Sequence, residues 1–415
     1  MYTTLFWIII AILAADFILE LVLDNLNEKN VKTELPTEMQ GIYDAEKYKK
    51  QQEYFKTNQK FNKVKDIFSF VVIMLMFFLF GFEFIDSIAR GISSNPIVIS
   101  LLFFGMLFFA NELLSLPFGI YQTFTIEEKF GFNKMTPSIF ATDLLKEWIM
   151  TILLGGVLIS LLILFYQHTG KYFWIIAWGV MAAINIFMMM FYSNLIVPMF
   201  NKQTPLEEGE LRTEIEQFCQ TVGYQLDNLY VIDGSKRTTK ANAYFSGLGA
   251  KKRIVLYDTL INMMTPKEIV AVLAHEIGHY KHKHTRIMLT ISLLNIAILF
   301  FLLSVALGDP QSGNIHIAEA LGSQYPSFHF GIIVFGILYT PISVLLNIGL
   351  NMISRRNEYQ ADTFAKTHGL GEELCSALKK LSVSNLSNLN PHPAYVFFHY
   401  SHPTLLQRLE NLGKK

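Results

Sequence analysis

Residues 273–307 read LAHEIGHYKHKHTRIMLTISLLNIAILFFLLSVAL, a His-Glu-x-x-His pattern that runs almost directly into an apolar stretch. At 3.6 residues per turn, His275 and His279 fall on one face of a helix and can grip a single ion, while Glu276 points toward the ion's open coordination position. That is the equipment of a zinc peptidase. The apolar stretch, Ile287–Leu307, is long enough to cross a hydrocarbon layer of ~30 Å, which takes about 20 residues. The sequence therefore sets a hydrolytic motif against a membrane span.

Composition agrees. Of 415 residues 52% are hydrophobic, 14% aromatic and only 16% charged, which excludes an ordinary soluble enzyme. The formal net charge is zero and makes no case for nucleic acid. Cys219 and Cys375 lie far apart in polar segments, so they are read as free thiols rather than a disulfide or a cysteine-held metal.

Seven apolar runs qualify as spans: Leu5–Leu23, Ile67–Ala89, Ile97–Phe118, Leu144–Tyr166, Tyr172–Val197, Ile287–Leu307 and Phe330–Ile353. The first has no Lys or Arg before it, which favours a retained helix over a cleaved signal peptide. Nine lysines lie between the first two spans (29, 32, 47, 49, 50, 56, 60, 63 and 65), whereas Gly308–Ser327, between the last two, has no Lys or Arg. The positive-inside rule then places the N-terminus outside and the C-terminus in the cytoplasm. Asp16, Glu20, Asn111, Glu112, Asn185 and Asn194 sit within spans and suggest a hydrated cavity between helices, although Glu20 and Glu112 also suit the membrane interface. The expected organisation is spans one to five with their loops (1–197), a first half of a cytoplasmic zinc domain (198–286), spans six and seven (287–353) and a second half of that domain (354–415).

Spans six and seven form a hairpin, so the rest of a metal site belongs just after Ile353. Glu358 lies there, and two histidines with one glutamate form a known catalytic zinc set. The same position would also serve an ion pair with Arg355 or Arg356. His282 and His284 compete as ligands, but the other common arrangement puts its third histidine where Thr285 stands. Asp362, one turn beyond Glu358, is a candidate partner for the far ring nitrogen of His275 or His279. Zinc would acidify a water and polarise the scissile carbonyl; Glu276 would take the proton and pass it to the leaving amine. His402 is a candidate donor to the oxyanion, not separable by spacing from His392 or His399. Asn228–Asp233 and Arg253–Asp258 read as strands flanking Lys240–Gly247, an edge for an extended substrate or a plain hairpin, with Gly247 and Gly249 suited to a turn.

With these residues in view the chain resembles the type I CAAX prenyl proteases, integral-membrane zinc endopeptidases that process farnesylated proteins. The match runs through Thr125–Lys134, Asn242–Phe245, His275–His279, Glu358–Asp362 and His399–Pro403, spread from the third span to the C-terminus. The resemblance implies a predominantly α-helical polytopic fold, seven transmembrane helices around a water-filled chamber, capped by a cytoplasmic zinc-peptidase domain with a small sheet. It implies one zinc per chain on His275, His279 and Glu358, with Glu276 as base. It also implies that Asn242 and Ala243 lie near the substrate strand, His402 and Arg408 near the scissile bond or the substrate, with Arg408 counted among the substrate-binding residues, and the Glu127-Glu128-Lys129 loop near the active site. The partners expected are the lipid bilayer and a peptide or protein substrate, prenylated in the leading reading, with a monomer as the expected state. The Lys, Asn and Phe content points to a bacterial inner membrane, or the endoplasmic reticulum were the source eukaryotic. A broad quality-control protease that ignores prenylation and a non-catalytic receptor or transporter are the competing readings.

Overall fold

The computed structural model describes residues 2–32, 34–41, 43–226, 228–246 and 253–413. The turn expected at Gly247 and Gly249 lies outside these residues. Five helical runs are long and apolar enough to cross a membrane: Thr4–Lys29, Pro96–Glu127, Pro137–Phe200, His284–Leu307 and Phe328–Thr367. A sixth arises if the bent pair Ala45–Phe78 and Gly81–Ile92 is one span.

Three of the expected spans differ in form. Ile67–Ala89 is not one helix but turns by 64° after Phe78, where Phe80 adopts a left-handed conformation with φ +53°. The turn brings Gly81 so close to Met76 that an added Cβ would lie 2.6 Å from its sulfur. The expected fourth and fifth spans fall in one 64-residue run that breaks at Gly170, whose φ of +51° strongly favours glycine. The helices flanking that break, Gly156–Thr169 and Phe173–Leu195, pack against each other.

Four of the six polar groups expected within spans, Glu20, Asn111, Glu112 and Asn185, find partners or cavities. Trp148 Nε1 donates to Glu112 at 2.7 Å, and Glu20 lies 3.3 Å from the His399 ring. Asn111 and Asn185 line separate cavities, while the buried side-chain oxygen of Asn194 has no hydrogen-bond partner. At one end of the helices Asp86, Ser100 and His329 are almost fully buried together. The His329 ring bridges Asp86 and Ser100 at 3.0 Å each, and Arg90 grips Asp86 at 2.6 Å. This network ties three helices at the cost of burying charge, which only mutual pairing makes tolerable.

The polar part holds a four-stranded sheet of order β1-β2-β4-β3: β1 Gln203–Pro205, β2 Leu229–Ile232, β3 Ala243–Ser246 and β4 Arg253–Tyr257. The two strands expected from sequence, β2 and β4, pair in parallel, and β3 joins β4 antiparallel as the outer strand. Ile254 and Leu256, with Ala243 beside them, pack against Ile269, Val270, Leu273 and Ile277 of the helix Pro266–Lys281, which carries the histidine motif.

That motif helix begins with a strong set of local signals. Thr265 caps it in a reciprocal box with Glu268, and Pro266 takes the first turn, where its missing N–H is no loss. Glu268 also accepts from Ser376 Oγ at 2.6 Å and Lys380 Nζ at 2.7 Å, locking the helix Gly371–Ser384 onto the motif helix. Burial raises the Glu268 carboxyl's pKa, but the Lys380 and Ser376 hydrogen bonds and the Thr265 N–H outweigh it and hold it below the ordinary value. The stabilisation is therefore full above about pH 4.5, the unfolded value, and is lost as pH falls through the lower folded value. Glu268→Ala is expected to cost ~1.5–3 kcal/mol, the range for hydrogen bonds to a charged group. An unchanged melting temperature in detergent would contradict this role.

Candidate active site

Two helices make the site. The motif helix crosses the long helix Phe328–Thr367 at Gly278, where an added methyl would lie 3.0 Å from the Ala361 Cα and the Phe364 Cβ. Glycine against alanine lets the two backbones approach, and one turn before Ala361 the long helix turns Glu358 toward His275 and His279.

The three side chains form a small triangle. The Nε2 atoms of His275 and His279 are 3.2 Å apart, Glu358 Oε2 is 3.4 Å from the first and Oε1 is 3.2 Å from the second. Ligand atoms at zinc's usual 2.0–2.1 Å in a tetrahedron are separated by about 3.4 Å, so the triangle has the size of one tetrahedral face. Glu358 is only 4% exposed, and its Oε2 is buried with no hydrogen-bond partner. A buried carboxylate oxygen left without a donor is costly unless a cation takes it. The donor set and its geometry thus fit a zinc ion, and these three residues are a group able to hold a metal.

The surrounding hydrogen bonds aim the rings. Asp362, fully buried, can only accept, so His275 Nδ1 donates to its Oδ1 at 2.9 Å and leaves the Nε2 lone pair facing the triangle. His284 does the same for the second ring. Gln360 Oε1 accepts from His284 Nε2 at 2.8 Å, so His284 Nδ1 accepts from His279 Nδ1 at 3.0 Å, and the His279 Nε2 lone pair also faces inward. His284 is thus a supporting partner rather than a fourth corner, and His282 stacks on it. Lys283, in a left-handed conformation with φ +60°, makes the tight break between the two helices that lets His284 reach back. The expected effect of His284→Ala is a loss of ~10–100-fold in zinc affinity with the three triangle residues intact, and Asp362→Ala should match it. Competitive chelator titration would read both; wild-type affinity would remove them from the site.

Burial opposes charge on His275, but the Asp362 and Glu358 carboxylates beside its two ring nitrogens outweigh it and push its pKa up to about 9. Carboxylates that draw a proton so strongly also draw a metal ion. Arg408, whose side chain is 11% exposed, balances them: Nε and Nη2 fork onto Asp362 at 2.9 and 2.5 Å, and Nη1 lies 3.5 Å from Glu358. The structure therefore places Arg408 behind the triangle. Glu276 is half-buried, and no side chain takes up its carboxylate among the described residues.

Of the three C-terminal histidines, His402 comes to the site. Its Nε2 is 3.3 Å from Glu358 Oε1 and its ring is 62% exposed, whereas His399 pairs with Glu20 and His392 caps its own helix. The outer strand is held at its root. Asn385 donates to Ala241 C=O and accepts from Ala241 N–H at 3.3 and 3.2 Å, and Thr259 donates to the Lys240 carbonyl at 3.0 Å. Asn242 is exposed and Ala243 half-buried. Lys240 Nζ lies 2.9 Å from Glu127, which also accepts from Tyr54, so the expected Glu127 loop is instead a helix end that leans on the residues leading into this strand. No spacing in the sequence carries the Asn385 or Tyr54 contacts; they join segments 144 and 73 residues apart.

Comparison with known proteins agrees along the chain. Residues 26–202 match a family model described as the CAAX prenyl protease N-terminal part with five membrane helices, and residues 205–415 match peptidase family M48. A CAAX prenyl protease 1 homolog from Oryza sativa subsp. japonica is 35% identical over 95% of this chain and 94% of its own length. CAAX prenyl protease 1 of Saccharomyces cerevisiae is 35% identical over 93% of this chain and 90% of its own. The crystal structure of S. mikatae Ste24p superposes with a TM-score of 0.89 at 34% identity, covering 99% of each chain. Fold and site together define an integral membrane metallopeptidase acting on peptides or proteins. The chain belongs to peptidase family M48, in the CAAX prenyl protease 1 family.

Proposed function

We propose that this protein is a zinc endopeptidase that removes the C-terminal tripeptide from prenylated CAAX substrates. The observation that carries the chemistry is the triangle of two imidazole nitrogens and one buried carboxylate whose Oε2 has no hydrogen-bond partner, sized for zinc. One zinc per chain would be held by His275, His279 and Glu358, where it would acidify a water and polarise the scissile carbonyl. Glu276 takes the proton from the attacking water and delivers it to the leaving amine. His402, exposed on the rim, donates to the developing oxyanion. Asp362 and His284 hold the ligand rings, and Arg408 holds Asp362. The substrate extends along β3, with Asn242 and Ala243 beside the bond to be cut.

In this reading the apolar helices make seven spans around a water-filled chamber, the 64-residue run crossing twice. The polar segments 198–286 and 354–415 form one zinc domain, interleaved with spans 1–197 and 287–353. That domain and the lysine-rich segment lie in the cytoplasm, supported by the packing of Met39, Tyr43 and Tyr48 on Leu389 and Leu409. The protein acts as a monomer in a bacterial inner membrane. The prenyl preference rests on the relatives, named CAAX prenyl proteases.

The test is cleavage of one CAAX peptide in farnesylated and unmodified forms by detergent-purified protein, with Glu276→Gln as control. Faster cleavage of the farnesylated form by the wild type alone supports the reading. Equal cleavage of both would make the enzyme a broad membrane peptidase of the quality-control kind.

A further inference from the structure

Beside the outer strand lies a cavity of about 790 Å³ that no step above uses. One wall is a single face of the helix Phe173–Leu195: Asn185, Met188, Met189 and Tyr192 stand at i, i+3, i+4 and i+7. The opposite wall carries Asn242 and Tyr244, which share one face of the substrate strand by its period of two. Thr285 also lines it, next in sequence to His284, which braces His279. The cavity therefore runs along the substrate strand and reaches Thr285, at the start of the helix that His284 opens, so a side chain of a strand-bound substrate can enter it.

Its size exceeds what an ordinary side chain fills. It falls in the about 300–1,000 Å³ range of small-molecule pockets, several times the volume of one residue. Two thioethers and the aromatic rings supply a wall that adapts to a long, flexible apolar chain without fixed hydrogen bonds. We propose that this cavity receives the isoprenyl chain on the substrate cysteine, the residue just before the scissile bond, while the peptide backbone pairs with β3. The assignment rests on the prenyl protease reading above. Met188 and Met189 then set the length of chain accepted, and Asn185 marks its polar far wall within the membrane helices.

The experiment compares CAAX peptides carrying S-methyl, S-prenyl (five-carbon), S-farnesyl and S-geranylgeranyl groups, cut by wild type, Met188→Trp and Met189→Trp. Zinc content and melting temperature are measured on each. Filling the cavity is expected to lower the farnesyl-to-methyl ratio of kcat/KM by at least about 10-fold and to shift the preferred chain toward the five-carbon one. Zinc-loaded, folded variants with the wild-type ratio would overturn the assignment. A wild type indifferent to chain length would instead defeat the prenyl reading itself. Should both variants fail to fold, a photoactivatable farnesyl peptide on the wild-type protein decides: labelling within 185–192 or 242–244 supports the cavity, and labelling only elsewhere overturns it.

Discussion

Glu276→Gln is expected to keep its zinc and lose ~10²–10⁴-fold in kcat, with KM nearly unchanged. Glutamine has the same shape but cannot accept the proton of the attacking water. Glu276 is also the one member of the motif whose carboxylate no side chain engages among the described residues, so its removal disturbs no structural bond. Its field is nonetheless felt in the site, favouring the charged forms of His275 and Arg408. Stopped peptide cleavage with metal analysis on the same sample reads both halves. Wild-type turnover in a zinc-replete variant would transfer the base to another group.

Glu358→Ala carries the second large effect and a different signature. The two imidazoles would face each other at 3.2 Å with no anion to complete the triangle, and the buried Arg408 would keep only Asp362. Zinc affinity is expected to fall by more than the about 10–100-fold that a supporting partner is worth, and activity with it. Excess zinc should restore part of the rate. The contrast is diagnostic, since Glu276→Gln loses rate with zinc in place and Glu358→Ala loses rate because zinc leaves. Full zinc occupancy in Glu358→Ala would sink its assignment as a ligand.

Much of this site could be read from the chain because helices make local spacing into geometry. The motif's i, i+4 histidines and the one-turn step from Glu358 to Asp362 are fixed by 3.6 residues per turn, and the hairpin argument placed the second helix beside the first. What escaped the reading depends on contacts across long separations. His284 was weighed only as a ligand; the left-handed Lys283 that swings it behind His279 leaves no mark that a lysine would advertise. Arg408 was expected at the substrate, yet it is folded onto Asp362, because a fully buried carboxylate at that depth needs a cation. The bend after Phe78 hides inside an unbroken apolar run, since hydropathy records length and not direction. The close pass at Gly278 was present in the motif but has meaning only once Ala361 is known to face it.

One metal ion on His275, His279 and Glu358 is expected to drive peptide hydrolysis. Zinc titrated into chelated, detergent-purified protein while cleavage of a farnesylated CAAX peptide is followed tests it most directly. No cleavage is expected without zinc, and the rate should rise to saturation at one zinc per chain. Cleavage by the fully chelated protein, or a rate indifferent to added zinc, would contradict it.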